Sequence, residues 1–215
     1  MNCEKSRKNG GICLAMASFC NRYESVLDVG CGPYELMYVR NDEKTVGVDI
    51  SNFILRILLN CGFQGHAGQA DSQHLPFRNK SFDCLVSNQL IEHMTSLKAI
   101  KKVVNEMQRI SGNIMIITPN SAFCRRIHDP THFFFFTTRD LKKIMPSFEI
   151  YASNLLPTQT LNYYFLYDSP QLRKMPFIGA LVFNMLRMIE SSRFVSWLNK
   201  KLWVGIHLIA VKHDA

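Results

Sequence analysis

The sequence predicts an α/β fold, a three-layer sandwich in which helices cover both faces of a mainly parallel sheet. Three observations predict it. Short apolar runs alternate with helical stretches over the first two thirds of the chain. The first run turns through a pair of glycines, and the second ends on an acid about 20 residues later. Strands alternating with helices require crossover connections, which are right-handed and lay helices against a parallel sheet. The 215 residues suffice for one domain, 1–215, with a substantial core.

The elements follow in order. Residues 12–20 are apolar and follow Lys5, Arg7 and Lys8. They read as an N-terminal helix packed on the sheet in preference to a signal peptide. Phe19 stands before Cys20 where a lipoprotein site needs a small residue, and cleavage there would leave the first core strand at the new terminus. Residues 25–29 form the first strand and stop at Gly30-Cys31-Gly32-Pro33. Residues 44–50 form the second, with Val46, Val48 and Ile50 on one face and Asp49 at its close. Ser51 or Asn52 caps a helix over 53–60, and Gly62 ends it. Residues 64–70 are a weaker strand and 82–87 a buried one. Thr95 or Ser96 caps a helix through Arg109, with Leu97, Ile100, Val103, Val104 and Met107 on one face. Residues 114–118 are a β-branched strand stopped by Pro119. Thr137 or Thr138 caps a helix over 139–145, and 148–152 form a further strand. Residues 155–201, aromatic and rich in Leu and Met, read as a helical insertion that covers the substrate before a final strand at 203–211.

Composition narrows the partners. The formal charge of +8 and pI of about 9.2 leave nucleic acid, anionic lipid or an acidic partner open, beside a basic protein with no polyanion at all. Lys and Arg are spread rather than massed in one run. No apolar run reaches the roughly 18–20 residues of a membrane span. Seven cysteines at irregular spacing include no Cys-x-x-Cys pair, so no metal site is expected. Free thiols and a cytoplasmic location are the expectation.

The chemistry concentrates at Val26-Leu27-Asp28-Val29-Gly30-Cys31-Gly32-Pro33. Glycines where a strand turns into a helix let backbone approach a ligand closely, and ligands of open α/β sheets bind at the carboxyl ends of the strands. A dinucleotide fingerprint needs glycine at the third position; Glu35 stands there instead. That carboxylate would repel a pyrophosphate but tolerate a sulfonium. Asp49 suits a hydrogen-bonded ribose diol, with a helix-capping aspartate as the plain alternative.

Together these runs resemble the class I S-adenosylmethionine-dependent methyltransferases, of the small-molecule type 11 or type 23 kind. The glycine run looks like their motif I, and Gly47-Val48-Asp49-Ile50-Ser51 like their second-strand motif. Gln69-Ala70-Asp71, Leu75-Pro76-Phe77, Ser81-Phe82-Asp83, Ser87-Asn88-Gln89-Leu90-Ile91-Glu92-His93 and Thr118-Pro119-Asn120 follow in the family's order, so the match runs from about Val26 to Leu141. The resemblance implies a Rossmann-like, seven-stranded sheet with its last strand antiparallel, and S-adenosylmethionine as cofactor. It implies that Gly30 and Gly32 pass beneath the methionine part, with Asp28 near its amino group. Asp49 holds the ribose hydroxyls and Ile50 packs on the adenine face. Asp71 accepts from the adenine amino group beside the Ser72 amide. Asn88 and Gln89 lie near the sulfonium. Ile110-Ser111-Gly112-Asn113 replaces the family's Lys-Pro-Gly-Gly turn, and neither an Asn-Pro-Pro-Tyr run nor the acidic pair of magnesium-dependent catechol enzymes is present.

Methyl transfer is an in-line displacement at an activated carbon, so alignment and water exclusion dominate. A base is needed only where the acceptor holds a proton. His132 and His93 are the candidates, with His128 a third; Asp129 beside His132 suits a general base. A purely structural His132 with a capping Asp129 is the alternative. Of Phe133–Phe136, at least two rings belong in the core and the others can line an acceptor pocket. The aromatic 155–201 segment points to a small or lipid-like acceptor methylated at oxygen, with peripheral membrane contact a further possibility. Transfer to RNA and a cofactor-binding, non-catalytic partner subunit are the rival readings.

Overall fold

Seven strands make one sheet: β1 (Val26–Val29), β2 (Thr45–Asp49), β3 (His66–Gln69), β4 (Cys84–Asn88), β5 (Asn113–Pro119), β6 (Glu149–Ala152) and β7 (His207–Lys212). The computed structural model describes residues 10–33, 35–121, 129–152 and 207–214. The strand order is β3-β2-β1-β4-β5-β7-β6. β1 to β5 pair in parallel, and β7 runs antiparallel to both of its neighbours, β5 and β6. Seven strands, mostly parallel with one antiparallel, is the expected Rossmann-like α/β arrangement. Every residue of β1 and β4 is buried, as central strands covered on both faces must be.

Among the described residues five helices supply the covers: α1 (Gly10–Cys20), α2 (Glu35–Val39), α3 (Asn52–Asn60), α4 (Leu97–Ile110) and α5 (Thr138–Ile144), with a 3₁₀ turn at Ile91–His93. α1 is the expected N-terminal helix. Its Met16, Phe19 and Cys20 pack against Val26, Cys84, Val86 and Met115 on one face of the sheet. Burying a side chain of that size contributes about 1.5–3 kcal/mol, so α1 is an integral layer. The other face meets α4 and α5 through Ile100, Val103, Val104, Met107 and Leu141.

The caps come from short polar side chains. Ser51 Oγ accepts from the Ile54 amide, and Ser96 Oγ from that of Ala99. Thr137 and Asp140 form a reciprocal capping box. Two expectations about faces need correcting. Leu97 is 52% exposed, because it opens the first turn of α4 ahead of the buried stripe. Ile50 is 69% exposed instead of sharing the buried face of Val46 and Val48, because β2 ends at Asp49 and the chain turns away. The expectation of free thiols holds for the buried Cys20, Cys31 and Cys84. It fails at Cys61, which is disulfide-bonded and sits half-buried at the C-cap of α3.

The insertion expected over 155–201 and the start of the final strand at 203–206 lie outside the described residues, as does His128. Among the described residues no helix is long and apolar enough to cross a membrane.

Candidate active site

The chain leaves β1 through Gly30 and Gly32, both in the left-handed region at φ +73° and +60°. A Cβ on Gly30 would lie 3.0 Å from Leu90 Cδ1, a tight contact, and the left-handed backbone disfavours any larger residue at this turn. The amides of Gly30 and Cys31 both donate to the Val48 carbonyl, at 2.8 and 3.1 Å. Those bonds fasten the turn to the end of β2. Asp49 completes the fastening: its Oδ2 accepts from the Gly32 amide at 3.3 Å and its Oδ1 from the Ser51 amide at 2.9 Å.

A cavity of about 160 Å³ opens at the carboxyl ends of β1, β2 and β3. Gly30, Asp49, Ile50, Asp71 and Ser72 line it, closed in by Leu90 and Met94. Five of the nine expected cofactor residues are therefore brought to one cavity. The exposure of Ile50 gives it an apolar face on that cavity. Asp71 Oδ1 accepts from the Gln73 amide at 2.8 Å. That bond, followed by His74, holds the Asp71 carboxyl below its ordinary pKa, so it remains an acceptor. The loop carrying Asp71 is anchored by Arg109, whose guanidinium donates to the carbonyls of Leu75 and Phe77 while pairing with Glu106.

The other expected residues act through neighbours. Gly32 reaches the cavity through Asp49. Asn88 donates from Nδ2 to Glu35 Oε2 at 2.5 Å. Gln89, strained at φ +53°, gives its amide to the Ile117 carbonyl and turns its side chain toward His207, 3.5 Å away. Asp28 is 2% exposed. Burial, then the charges of Glu35 and Asp49, push its pKa well above the ordinary value. Burial also raises Glu35, against the Asn88 hydrogen bond.

Asp28 Oδ1 and Asn88 Oδ1 have no hydrogen-bond partner among the described residues. No Lys or Arg pairs with Asp28, Glu35 or Asp49 among the described residues. Three carboxyl groups gathered without a cation leave a place for a positively charged ligand bearing N–H donors. S-adenosylmethionine carries a sulfonium and an ammonium, so the residues fit it. They do not fit a pyrophosphate.

Across the turn after β4 a second group assembles. Glu92 is 1% exposed. Its Oε2 accepts from Thr118 Oγ at 3.0 Å, and burial raises its pKa to about 7. The Glu92 carbonyl accepts from the amides of Phe133 and Phe134, which draws the 129–136 segment onto the 3₁₀ turn. His132 thereby meets His93 edge to face, with ring centroids 4.7 Å apart. The His132 pKa is lowered by burial, against the pull of Asp129, so the imidazole is neutral at pH 7. Phe136 is buried and Phe134 packs on the core, whereas Phe133 and Phe135 are 60% and 43% exposed beside the histidines. Sequence reasoning missed Glu35 as part of the acid trio and Glu92 altogether. The available signal for Glu92 was a carboxylate set between Leu90-Ile91 and a histidine.

A larger cleft of about 410 Å³ lies at the opposite end of the strands, among Lys80, Asp83, Asn113 and Asp214. Its polar groups are already paired, Lys80 with Asp214 and Asp83 with Ser25. It lies at the amino ends of the strands, where such sheets do not bind ligands.

The sequence model of the family described as "Methyltransferase domain" matches residues 27–113. Human probable tRNA methyltransferase 9B is 31% identical over 94 residues, which is 42% of this chain and 20% of that protein. The malonyl-[acyl-carrier protein] O-methyltransferase of Legionella pneumophila is 30% identical over 100 residues, 43% of this chain and 35% of the relative. The chain thus spans well under half the length of these curated relatives. A solved S-adenosylmethionine-dependent methyltransferase from Archaeoglobus fulgidus shares the fold at a TM-score of 0.59, with 17% identity, covering 94% of this chain and 93% of that one. Residues 27–113 thus match the methyltransferase-domain model, and the described fold is the one seen in solved S-adenosylmethionine-dependent methyltransferases.

Proposed function

We propose that the chain transfers the methyl group of S-adenosylmethionine to a hydroxyl of a small or lipid-like acceptor and releases S-adenosylhomocysteine. The observation that carries this reading is the cavity lined by Gly30, Asp49, Ile50, Asp71 and Ser72 beside a carboxyl trio that no Lys or Arg neutralises among the described residues. The bound cofactor supplies a methyl carbon activated by a positive sulfur. Asp49 accepts from the ribose hydroxyls, Ile50 covers the adenine face, and Asp71 with the Ser72 amide reads the adenine edge. Gly30 and Gly32 keep the backbone close beneath the methionine part, and Asp28 faces its ammonium. Asn88 and Gln89 flank the sulfonium. His132, neutral and oriented by Asp129, takes the acceptor's hydroxyl proton, with His93 beside it. The exposed rings of Phe133 and Phe135 favour an apolar acceptor at this mouth.

Likeness to a probable tRNA methyltransferase, together with the charge of +8, supports RNA as a second reading. Calorimetric titration with S-adenosylhomocysteine, S-adenosylmethionine and NAD tests the cofactor. We expect micromolar binding of the two sulfur nucleosides, weakened about 10- to 100-fold in Asp49→Ala by loss of charge-assisted hydrogen bonds. Binding of NAD alone overturns the reading. Mass spectrometry of apolar hydroxyl acceptors and tRNA incubated with the chain then separates the acceptors. Methylated tRNA without a methylated small molecule selects the second reading.

A further inference from the structure

We infer that Glu92, His93 and His132 form a binding site for a divalent transition-metal ion on the acceptor side of the cofactor cavity. Each of the three offers a ligand atom, and these atoms all lie within 4.8 Å of one another. Two imidazoles and one carboxylate are a ligand set suited to borderline ions such as Zn2+, Mn2+, Fe2+ or Co2+, and three protein ligands leave further positions open.

The arrangement around the trio is what makes it a site. Glu92 Oε1 has no partner among the described residues although the residue is only 1% exposed. An orphaned buried carboxylate oxygen is costly unless something cationic meets it. Its other oxygen is fixed by Thr118, so the carboxylate cannot simply turn away.

One ring is held from behind and the other has a carboxylate close by. His93 Nδ1 lies 3.0 Å from the Thr131 carbonyl, which sets it as the N–H that donates there. His132 Nε2 lies 3.7 Å from Asp129 Oδ2. Asp129 is in turn held by the amide and hydroxyl of Thr131, at 2.9 and 2.6 Å. The Thr131 carbonyl thus engages Nδ1 of His93 and leaves its Nε2 for an ion, while the Asp129 carboxylate lies near the His132 ring without a hydrogen bond to it. Metal-binding histidines are oriented in this way.

Placement gives the ion a use. Leu90 and Met94, on either side of Glu92 and His93 in the chain, line the cofactor cavity. An ion at the trio lowers the pKa of an acceptor hydroxyl and fixes its oxygen toward that cavity. The hydroxyl proton passes to solvent, the oxygen–carbon bond forms, and the sulfur–carbon bond breaks. In that state the two histidines are ligands, and the ion takes over the part given to His132 as base. This consequence rests on the methyl-transfer reading; binding of the ion does not.

The test is calorimetric titration of the full chain, untagged and stripped with EDTA, with Zn2+, Mn2+ and Mg2+, and visible spectroscopy with Co2+. We expect one equivalent of Zn2+ or Mn2+, weaker Mg2+, and ligand-field bands with Co2+. Glu92→Gln and His132→Ala are each expected to weaken binding at least about tenfold, and Asp129→Asn, which removes no ligand, about tenfold. His66→Ala, an exposed histidine on β3, is expected to leave it unchanged. Absence of binding, or binding indifferent to Glu92→Gln and Asp129→Asn in chains that keep their melting temperature, overturns the inference. Titration with S-adenosylhomocysteine in the same samples separates the two readings. Intact nucleoside binding without ion binding removes only the ion, and the reverse removes only the methyltransferase reading.

Discussion

Asp28 shows how much a single residue can be set against stability. Its carboxyl is buried at the centre of the sheet, and two further acids raise its pKa well above the ordinary 3.8. The sign of the effect follows from proton counting. Above pH 3.8 the unfolded chain releases this proton while the folded chain keeps it or holds a strained charge. Stability contributed by the site therefore falls as pH rises from 3.8 through the folded pKa. Asp28→Asn removes that penalty. We expect it to raise the melting temperature of the cofactor-free chain at pH 7 by a few degrees, roughly 2–4 °C per kcal/mol regained at this size. We expect it also to weaken S-adenosylmethionine binding. Calorimetric scanning with and without nucleoside checks both, and a variant that melts lower without ligand contradicts the account. Asp28 was legible as a motif residue because it precedes the glycine turn. Its partner Glu35 was read only as a departure from a dinucleotide fingerprint, since the contact with Asn88 spans 53 positions that no local pattern encodes.

At the scale of elements, legibility followed local chemistry. Ser51, Ser96 and Thr137 were expected or alternative caps and are the observed ones, because a side-chain oxygen that satisfies a helix amide acts within three residues. The ends of β1 to β6 were legible to within two residues for the same reason: glycine, proline and acids punctuate them. The 3₁₀ turn at Ile91–His93 was not, because it is held by amides of Phe133 and Phe134 some forty positions away. The candidate ion site was illegible for that reason too. β7 carries a prediction of its own. Burial lowers the pKa of His207 to about 4, against about 6.5 in an unfolded chain. The unfolded state then binds the extra proton between those values, so the stability is complete above pH 6.5 and is lost as pH falls toward 4. The loss is about 3 kcal/mol, to order of magnitude. Denaturant titrations at pH 7, 5.5 and 4.5 should show it, and His207→Gln should flatten the slope. An unchanged slope in the variant excludes His207 as its source.

For the whole molecule, strand–helix alternation foretold a parallel sheet, but not the position of the last strand. The antiparallel β7 came from family resemblance alone, since nothing in 203–211 distinguishes one direction from the other. The charge of +8 is likewise a property of the whole chain, and its meaning is open to a salt titration. If a small apolar molecule is the acceptor, its KM should vary little between 50 and 200 mM salt. An RNA acceptor would release counterions on binding, and its KM would rise steeply over that range. A steep dependence measured with the preferred acceptor contradicts the small-molecule assignment.

The position of β7 also governs when the protein can be finished. β7 follows β6 in sequence and is the last of the described strands, yet it sits between β5 and β6. As the chain leaves the ribosome, β1 to β5 can pair in the order in which they emerge. β6 then has no neighbour to join, and the apolar edge of β5 stays uncovered until some sixty further residues are made. At about 5–20 residues per second, that gap lasts several seconds. An unpaired strand edge recruits whatever strand it meets. The cell therefore has to protect this chain in the interval between β6 and β7, and a ribosome stalled before β7 would release a template for aggregation.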